Sequence, residues 1–155
     1  MQHWLFKSEP DAFSIDDLAA ATAKTACWDG VRNYQARNFM RDRMRVGDQG
    51  FFYHSSCAVP GIVGILRVSK AAYVDHTQFD ARHKHFDADS KPDDPRWLMV
   101  NVTLVRKFKR IITLDELRRY QPRELKSMVI LQRGNRLSIT PVTPQEWQFI
   151  VSLAA

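Results

Sequence analysis

Alternating side chains predict the clearest strand of the chain. From residue 98 to 104, Leu, Val, Val and Leu alternate with Met, Asn and Thr, and a period of two is that of a strand with one buried face. Shorter β-rich apolar runs occupy residues 4–6, 51–53, 62–68 and 137–142. The Pro60-Gly61 turn between the second and third of these runs predicts a hairpin.

Capping motifs predict where helices begin. Ser14, Thr113 and Thr143 are each followed three residues later by an acid. This is the pattern of a capping box. Asp-Gly turn chemistry predicts a loop over residues 28–33 that enters a basic helix over residues 34–45. Residues 75–95 are polar, and a loop of this length inside a compact domain is usually functional or mobile.

These elements predict an α+β fold, in which several strands close into a small mixed β-barrel with helices packed around it. A chain of 155 residues has the usual length of one domain, so we expect a single domain over residues 1–155. No apolar run approaches a membrane span of about 20 residues, and the N-terminus lacks the apolar core of a signal peptide. Two cysteines, Cys27 and Cys57, indicate neither a disulfide scaffold nor a zinc ribbon.

Charge indicates nucleic acid as the class of partner. The chain has 23 Lys and Arg against 17 Asp and Glu, a net charge of +6, and a pI near 9.6, which is typical of basic nucleic-acid-binding domains. Residues 28–45 combine five arginines with Trp28, Tyr34 and Phe39. Such a segment offers stacking faces for an unpaired base and cations for phosphates; the alternative is a solvated basic helix whose aromatic residues face the core.

Polar residues at predicted strand ends are further candidates for base contacts. Tyr53, His54 and Ser55 follow an apolar run, and alternation sends Tyr53 and Ser55 to one face; His54 either reads a base edge or caps the barrel end. Lys7 and Glu9 have two interpretations. Lys7 is a general base with Glu9 as its partner, or the two residues form a surface ion pair. A second basic region, residues 106–126, is either a phosphate track or a solvated face.

Catalytic and metal motifs are weak. His76, His83 and His85 lie in the acidic polar loop without cysteines, where histidines are usually only polar. There is no Gly-x-Ser-x-Gly elbow and no glycine-rich phosphate loop. We therefore expect no metal, no cofactor and no catalytic residues.

Motifs along most of the chain resemble the EVE domain family. They are WLFKSEP at residues 4–10, WDGVRNYQARN at 28–38, YHS at 53–55, GIVG at 61–64, PRW at 95–97 and LSITPV at 137–142. The resemblance implies a PUA-like barrel with a pocket for a modified base, methylated cytosine or adenine being the usual candidates. It implies the following pocket residues: Lys7, Ser8, Trp28, Gly30, Val31, Asn33, Tyr34, Tyr53, His54, Ser55, Trp97, Leu137 and Ser138.

Within that pocket, the resemblance puts Trp28, Tyr53 and Trp97 at the aromatic walls. The backbone phosphates would be held by Arg32, Arg37 and Arg41. The implied function is a non-enzymatic reader of DNA or RNA that takes a flipped, methylated base. An amidohydrolase acting on a modified nucleoside, as in the related ASCH group, and a general RNA-binding module are the alternatives.

The start of the chain gives an expectation about its location. The first predicted strand begins almost at once, without the basic leader of a nuclear relative in the family. We therefore expect a cytoplasmic, soluble bacterial protein with no membrane partner and no obligate protein partner.

Overall fold

A six-stranded mixed sheet forms the centre of the protein, and the computed structural model describes residues 1–155. The strands are β1 His3–Ser8, β2 Thr25–Trp28, β3 Gln49–His54, β4 Gly61–Val74, β5 Leu98–Thr113 and β6 Ile139–Val142. The helices are α1 Ile15–Ala20, α2 Tyr34–Asp42, α3 Leu114–Arg119 and α4 Pro144–Ala154. Short 3-10 turns occupy Thr22–Lys24, His76–Phe79 and Val129–Leu131. The predicted α+β class is confirmed.

The strand order is β2-β5-β4-β3-β1-β6. The β1 and β3 strands run parallel, and the other neighbouring strands run antiparallel. The two longest strands, β4 and β5, change register at several bulges, and bulges bend a sheet and increase its twist. The pairing of β4 with β5 is therefore irregular along its length.

Successive residues of the central strands face two separate cores. Trp4 and Phe6 point into one core, together with residues of α1 and α2. Leu5 and Tyr53 point into the other, together with residues of α3 and α4. This is the alternation expected of strands buried on both faces, and it fixes which side chains can meet at the ends of these strands.

Most predicted elements are confirmed, and the differences concern β2 and the strand lengths. The predicted caps are present: Ser14 and Thr143 form capping boxes, and the Thr113 side chain accepts a hydrogen bond from the Glu116 amide. The β2 strand was not predicted, because residues 25–27 are not strongly apolar and the strand forms by pairing with β5. The basic residues 106–110 lie within β5. No helix has the length and apolar character needed to cross a membrane.

One buried carboxylate ties the first strand to the turn before β3. Asp48 is 4% exposed, and its side chain accepts hydrogen bonds from the Trp4 indole at 3.1 Å, the Arg45 amide at 3.0 Å and the Gln2 amide at 3.2 Å. Buried polar groups stabilise a fold when each has its partner. Asp48 therefore satisfies three donors at the point where β1 and β3 begin.

We expect Asp48→Ala to destabilise the fold. Loss of this acceptor leaves the buried Trp4 indole N–H and two partly buried amides unpaired, and it should lower the free energy of unfolding by about 3 kcal/mol. Urea unfolding measures the change. Asp93→Ala is the matched control, because Asp93 is exposed and its loss should change stability by less than about 0.5 kcal/mol. Equal stability of the two variants would contradict this role for Asp48.

Candidate functional site

A cavity of about 660 Å³ opens where β1, β2 and β3 end. We call it cavity A. Its walls come from the end of β1, from the residues that follow β2, from Ser55 after β3 and from Ser138 before β6. Its volume lies within the range of about 300–1,000 Å³ usual for small-molecule sites. Cavity A is large enough for one planar heterocycle.

A fixed indole forms part of the floor of cavity A. Trp28 is 6% exposed and packs edge-on against Phe6 at 5.3 Å, Phe13 at 6.0 Å and Phe52 at 5.3 Å between ring centroids. Phe13 and the buried Val31 line the cavity beside it. Because other aromatic rings hold the indole in place, the apolar part of the cavity is formed in advance.

Hydrogen-bond donors and acceptors both line the edge of cavity A. Lys7, which lines the cavity, is half-buried, and burial lowers the pKa of its ammonium group. Two carboxylates, Glu9 and Asp29, line the same cavity, as do Ser55 and Ser138. The Ser8 hydroxyl is already used, since it donates to the Phe13 carbonyl at 2.6 Å. The cavity can thus both donate hydrogen bonds to a ligand and accept them from it.

The polar loop after β4 supplies one side of cavity A. It contributes His83, Lys84 and His85, and Arg136 faces them from the loop before β6. The His85 ring lies directly over Gly30: a Cβ at Gly30, where φ is +78°, would come within 2.3 Å of that ring. Glycine is therefore required there both for its backbone conformation and for space.

Asp75 holds this loop against the residues that follow β2. Its side chain is fully buried, forms an ion pair with Arg32 at 3.0 Å and accepts a hydrogen bond from the Gly30 amide at 2.9 Å. Arg32 also donates to the His85 carbonyl at 2.7 Å. Through these bonds Asp75 fixes the position of His85 over Gly30.

Two histidines and an acid lie together at the edge of cavity A. The donor atoms of Asp29, His83 and His85 lie within 4.8 Å of one another, so the chain does bring together a group that could hold an ion. However, His83 Nδ1 accepts a hydrogen bond from the His85 amide at 3.0 Å, which leaves the proton of the neutral ring on Nε2, the nitrogen that faces Asp29. A metal ligand needs a free lone pair. The hydrogen bond uses the lone pair of His83 Nδ1, and Nε2 carries the proton, so this arrangement opposes coordination by His83.

The structure brings about half of the predicted pocket residues together. Those that line cavity A are Lys7, Ser8, Trp28, Gly30, Val31, Ser55 and Ser138. Tyr53 does not join Trp28: it packs in the opposite core and lines a separate cavity. The prediction of one hollow walled by both rings has to be corrected in this respect, because Trp28 and Tyr53 belong to different faces of the sheet.

Other predicted residues have structural roles outside cavity A. The Asn33 side chain caps α2 by accepting from the Ala36 amide at 3.1 Å, and His54 Nε2 accepts from the Ile15 amide at the start of α1 at 3.1 Å. Leu137 does not line the cavity. Hydrogen bonds to the first amides of a helix stabilise the fold, and they engage Asn33 Oδ1 and His54 Nε2 within the protein.

Trp97 and Tyr34 form a second aromatic group beyond the polar loop. Their rings stack at 4.8 Å, and the Trp97 indole donates to Asp87 at 2.7 Å. Arg37 lies over the Tyr34 ring at 4.7 Å and donates to the Arg96 carbonyl at 2.9 Å. This stack lies outside cavity A. Trp97 therefore does not form the aromatic wall that the family resemblance implies.

The predicted phosphate ligands are mostly engaged within the protein. Arg32 binds Asp75, and Arg37 is held by carbonyl and amide oxygens. Arg41 pairs with Asp42 at 2.8 Å on the surface, where such pairs are weak. Arg41 therefore stays accessible, whereas Arg32 has a structural role.

Sequence reasoning missed several residues of cavity A. They are Ala12, Phe13, Cys27, Asp29, His83, Lys84, His85 and Arg136. Glu9, which the sequence offers as a partner of Lys7, also lines the cavity. The length of the polar loop was the one signal for the histidines. Nothing local marked Arg136, whose position depends on how the loop before β6 crosses the ends of the strands.

The fold and cavity A define a small α+β binding domain with its site at one end of a mixed sheet. The chain belongs to the EVE domain family, whose model matches residues 2–153. Mouse thymocyte nuclear protein 1 is 51% identical over 166 residues, which cover 97% of this chain and 73% of that protein. The predicted family is therefore confirmed.

Solved structures agree with this assignment. Human THYN1 in complex with 5-methylcytosine containing DNA has a TM-score of 0.95 and 48% identity, covering 99% of this chain and 98% of that one. A protein from Pseudomonas putida has a TM-score of 0.90 and 48% identity, covering 99% of both chains. The fold is thus shared over almost the whole length.

We expect Asp75 to make the fold less stable as the pH falls into the acid range. Burial raises the pKa of its carboxyl. Hydrogen bonds from Thr77, Gly30 and Arg32 lower this pKa by more than burial raises it, so it lies below the usual 3.8. The stabilisation is complete above 3.8 and is lost as the pH falls through the folded-state pKa. Asp75→Asn should cost about 3 kcal/mol at neutral pH.

Urea unfolding between neutral pH and pH values below 3.8 measures this dependence. The Asp75→Asn variant should lose less stability on acidification than the wild type. Asp93→Asn, at an exposed position, should keep the wild-type profile. Parallel profiles for the wild type and Asp75→Asn would contradict the role of Asp75.

Proposed function

We propose that this protein is a non-enzymatic reader of methylated DNA that takes one flipped 5-methylcytosine into cavity A. The observation that carries this proposal is the likeness over nearly the whole chain to human THYN1, which was solved with 5-methylcytosine containing DNA. Cavity A supports it with an apolar floor, polar groups at its edge and cations around it.

The edge of cavity A suits the hydrogen-bonding pattern of cytosine. Cytosine offers an exocyclic amino group as donor, which Glu and Asp accept, and Glu9 and Asp29 both line the cavity. Its ring also offers acceptors, toward which Lys7 and the free hydroxyls of Ser55 and Ser138 can donate. A cavity with both types of group can match this edge without leaving a buried group unpaired.

The floor of cavity A accounts for a preference for the methylated base. Trp28, Phe13 and Val31 present apolar surface, and a base that leaves its stack regains stacking on aromatic side chains, worth about 1–3 kcal/mol. Extrusion from a duplex costs a few kcal/mol. Stacking and hydrogen bonds must therefore act together, and the methyl group adds a further apolar contact.

Cations at the mouth of cavity A are placed for the flanking phosphates. Lys84 and Arg136 are exposed and line the cavity, and neither side chain forms an ion pair within the protein. We propose that they replace Arg32 and Arg37 as backbone ligands, with Arg41 as a further surface contact. Phosphate contacts position a nucleic acid and carry no base information.

We expect a preference of about fourfold for a methylated over an unmethylated oligonucleotide, because one buried methyl group contributes about 0.8 kcal/mol. Fluorescence titration at fixed salt, with single-stranded DNA that differs only at one cytosine, measures it. Single strands avoid the cost of opening a duplex. Equal affinities for the two oligonucleotides would contradict the reader proposal.

A hydrolase is the second candidate function. Lys7 favours it, since its pKa is lowered by burial and Glu9 lines the same cavity; a lysine with a lowered pKa can act as general base. Such an enzyme would remove the acyl group of an N4-acylated cytidine.

Chromatography of N4-acetylcytidine incubated with the protein distinguishes the two functions. A reader leaves the substrate intact. A hydrolase releases cytidine, and its activity should be lost in Lys7→Ala and kept in Lys84→Ala, which removes a cation from the rim of the same cavity. Turnover that survives in Lys7→Ala would rule out Lys7 as the base.

Two further predictions stay hypotheses. RNA binding through the basic surface alone would fall steeply with salt and ignore base identity, whereas the solved complex of the relative contains DNA. The predicted cytoplasmic location has no support from the animal relatives, whose name describes a nuclear protein.

A further inference from the structure

A second cavity lies beside cavity A on the other side of β1 and β3. This cavity B has a volume of about 690 Å³ and lies between the end of β3, helix α3 and the loop before β6. Lys7 and Ser55 line both cavities. A ligand that leaves cavity A across these two residues therefore enters cavity B.

The charges of cavity B are all positive. Lys7, Arg118 and Arg133 line it, and no carboxylate does. Cavity A differs, because Glu9 and Asp29 lie among its cations. Cations without a nearby acid attract an anion strongly, so cavity B is suited to a phosphate and cavity A to a base.

Arg118 and Arg133 are free to bind such an anion. Neither guanidinium makes an ion pair within the protein. Glu116, one of the two acids of α3, is paired with Arg110 at 2.7 Å instead. Arginine matches phosphate oxygens in a bidentate fashion. The two arginines approach cavity B from different elements, α3 and the loop before β6.

Tyr53 adds a neutral donor at the bottom of cavity B. Its side chain is 3% exposed, its hydroxyl makes no hydrogen bond within the protein, and it lines the cavity. Burial raises the pKa of Tyr53 to about 12, although the nearby Arg118 lowers it. The hydroxyl therefore stays protonated and can donate to a phosphate oxygen.

The loop before β6 joins the two cavities. Its Arg133 faces cavity B and its Arg136 faces cavity A. Asn135 fixes the loop between them, donating to the Val129 carbonyl at 3.1 Å and accepting from the Leu137 amide at 3.0 Å. A nucleic-acid strand that passes from one cavity to the other would therefore meet one cation of this loop in each cavity.

We propose that cavity B binds a phosphodiester of the strand whose flipped base occupies cavity A, through Arg118, Arg133 and the Tyr53 hydroxyl. The inference rests on the proposed function. It adds a subsite that recognises the backbone next to the base rather than the base itself.

The test combines Arg118→Ala and Arg133→Ala in one protein. Both side chains are exposed, so the double variant should fold, which urea unfolding checks. Arg119→Ala with Lys126→Ala is the matched control, since it removes the same charge from exposed residues that do not line cavity B. Affinities are measured for a single-stranded oligonucleotide with one 5-methylcytosine at several salt concentrations.

We expect the double variant to bind about tenfold more weakly and its salt dependence to fall by about 1.4 in log–log slope, since each lost phosphate contact in single strands contributes about 0.7. The control should change the slope much less. Binding of the nucleoside 5-methyl-2′-deoxycytidine, which has no phosphate, should be unchanged in the double variant. Equal slopes for the double variant and the control would overturn the proposal.

The same contact can be tested by changing the DNA, since a methylphosphonate replaces one charged phosphate by a neutral group. A methylphosphonate placed next to the methylated base, on its 5′ or its 3′ side, should weaken wild-type binding and have little further effect on the double variant. The same loss in both proteins would refute a contact between the arginines and that phosphate. If wild-type protein binds neither the nucleoside nor the methylated oligonucleotide, the proposed function itself fails, and cavity B loses its role with it.

Discussion

The parallel pairing of β1 with β3 is the constraint on which the rest of this structure depends. It aligns Lys7 with Tyr53 and Ser8 with His54, so both strands end at the same edge of the sheet. The Ser55 amide continues this alignment past β3 by donating to the Ser8 carbonyl at 3.0 Å. On the β6 side of β1, the Lys7 amide donates to the Ser138 carbonyl at 2.8 Å. Because alternate residues face opposite sides, this edge supports two cavities that share Lys7 and Ser55.

The sequence predicted those features of the fold that depend on local chemistry. The capping residues Ser14, Thr113 and Thr143 start helices as expected, since a cap involves only neighbours in the chain. It did not predict β2, which exists through its pairing with a strand more than 70 residues away. Trp28 was interpreted as a loop residue for this reason, although it ends β2 and packs among three aromatic rings.

The candidate site was predicted in part, and the errors share one physical cause. Residue type indicates what a side chain can bind but not which partner it has found. Arg32 has the charge of a phosphate ligand, yet it is paired with the buried Asp75. His54 has the donor and acceptor atoms of a base-reading residue, yet its Nε2 accepts from the Ile15 amide at the start of α1. The family resemblance implies that Tyr53 and Trp28 wall one pocket, but the two residues belong to opposite cores. Such pairings depend on contacts distant in sequence.

The contact between His85 and Gly30 bears on how domains of this architecture can diversify. The ring lies so close to the glycine that any side chain there would push the histidine away, and the entrance of the cavity is therefore bounded by main chain on one side. Changes in the loop that carries His83, Lys84 and His85 can widen or narrow the opening while the aromatic floor keeps its shape. The selectivity of the cavity for its ligand can thus change at the entrance, independently of the packing that keeps the domain folded.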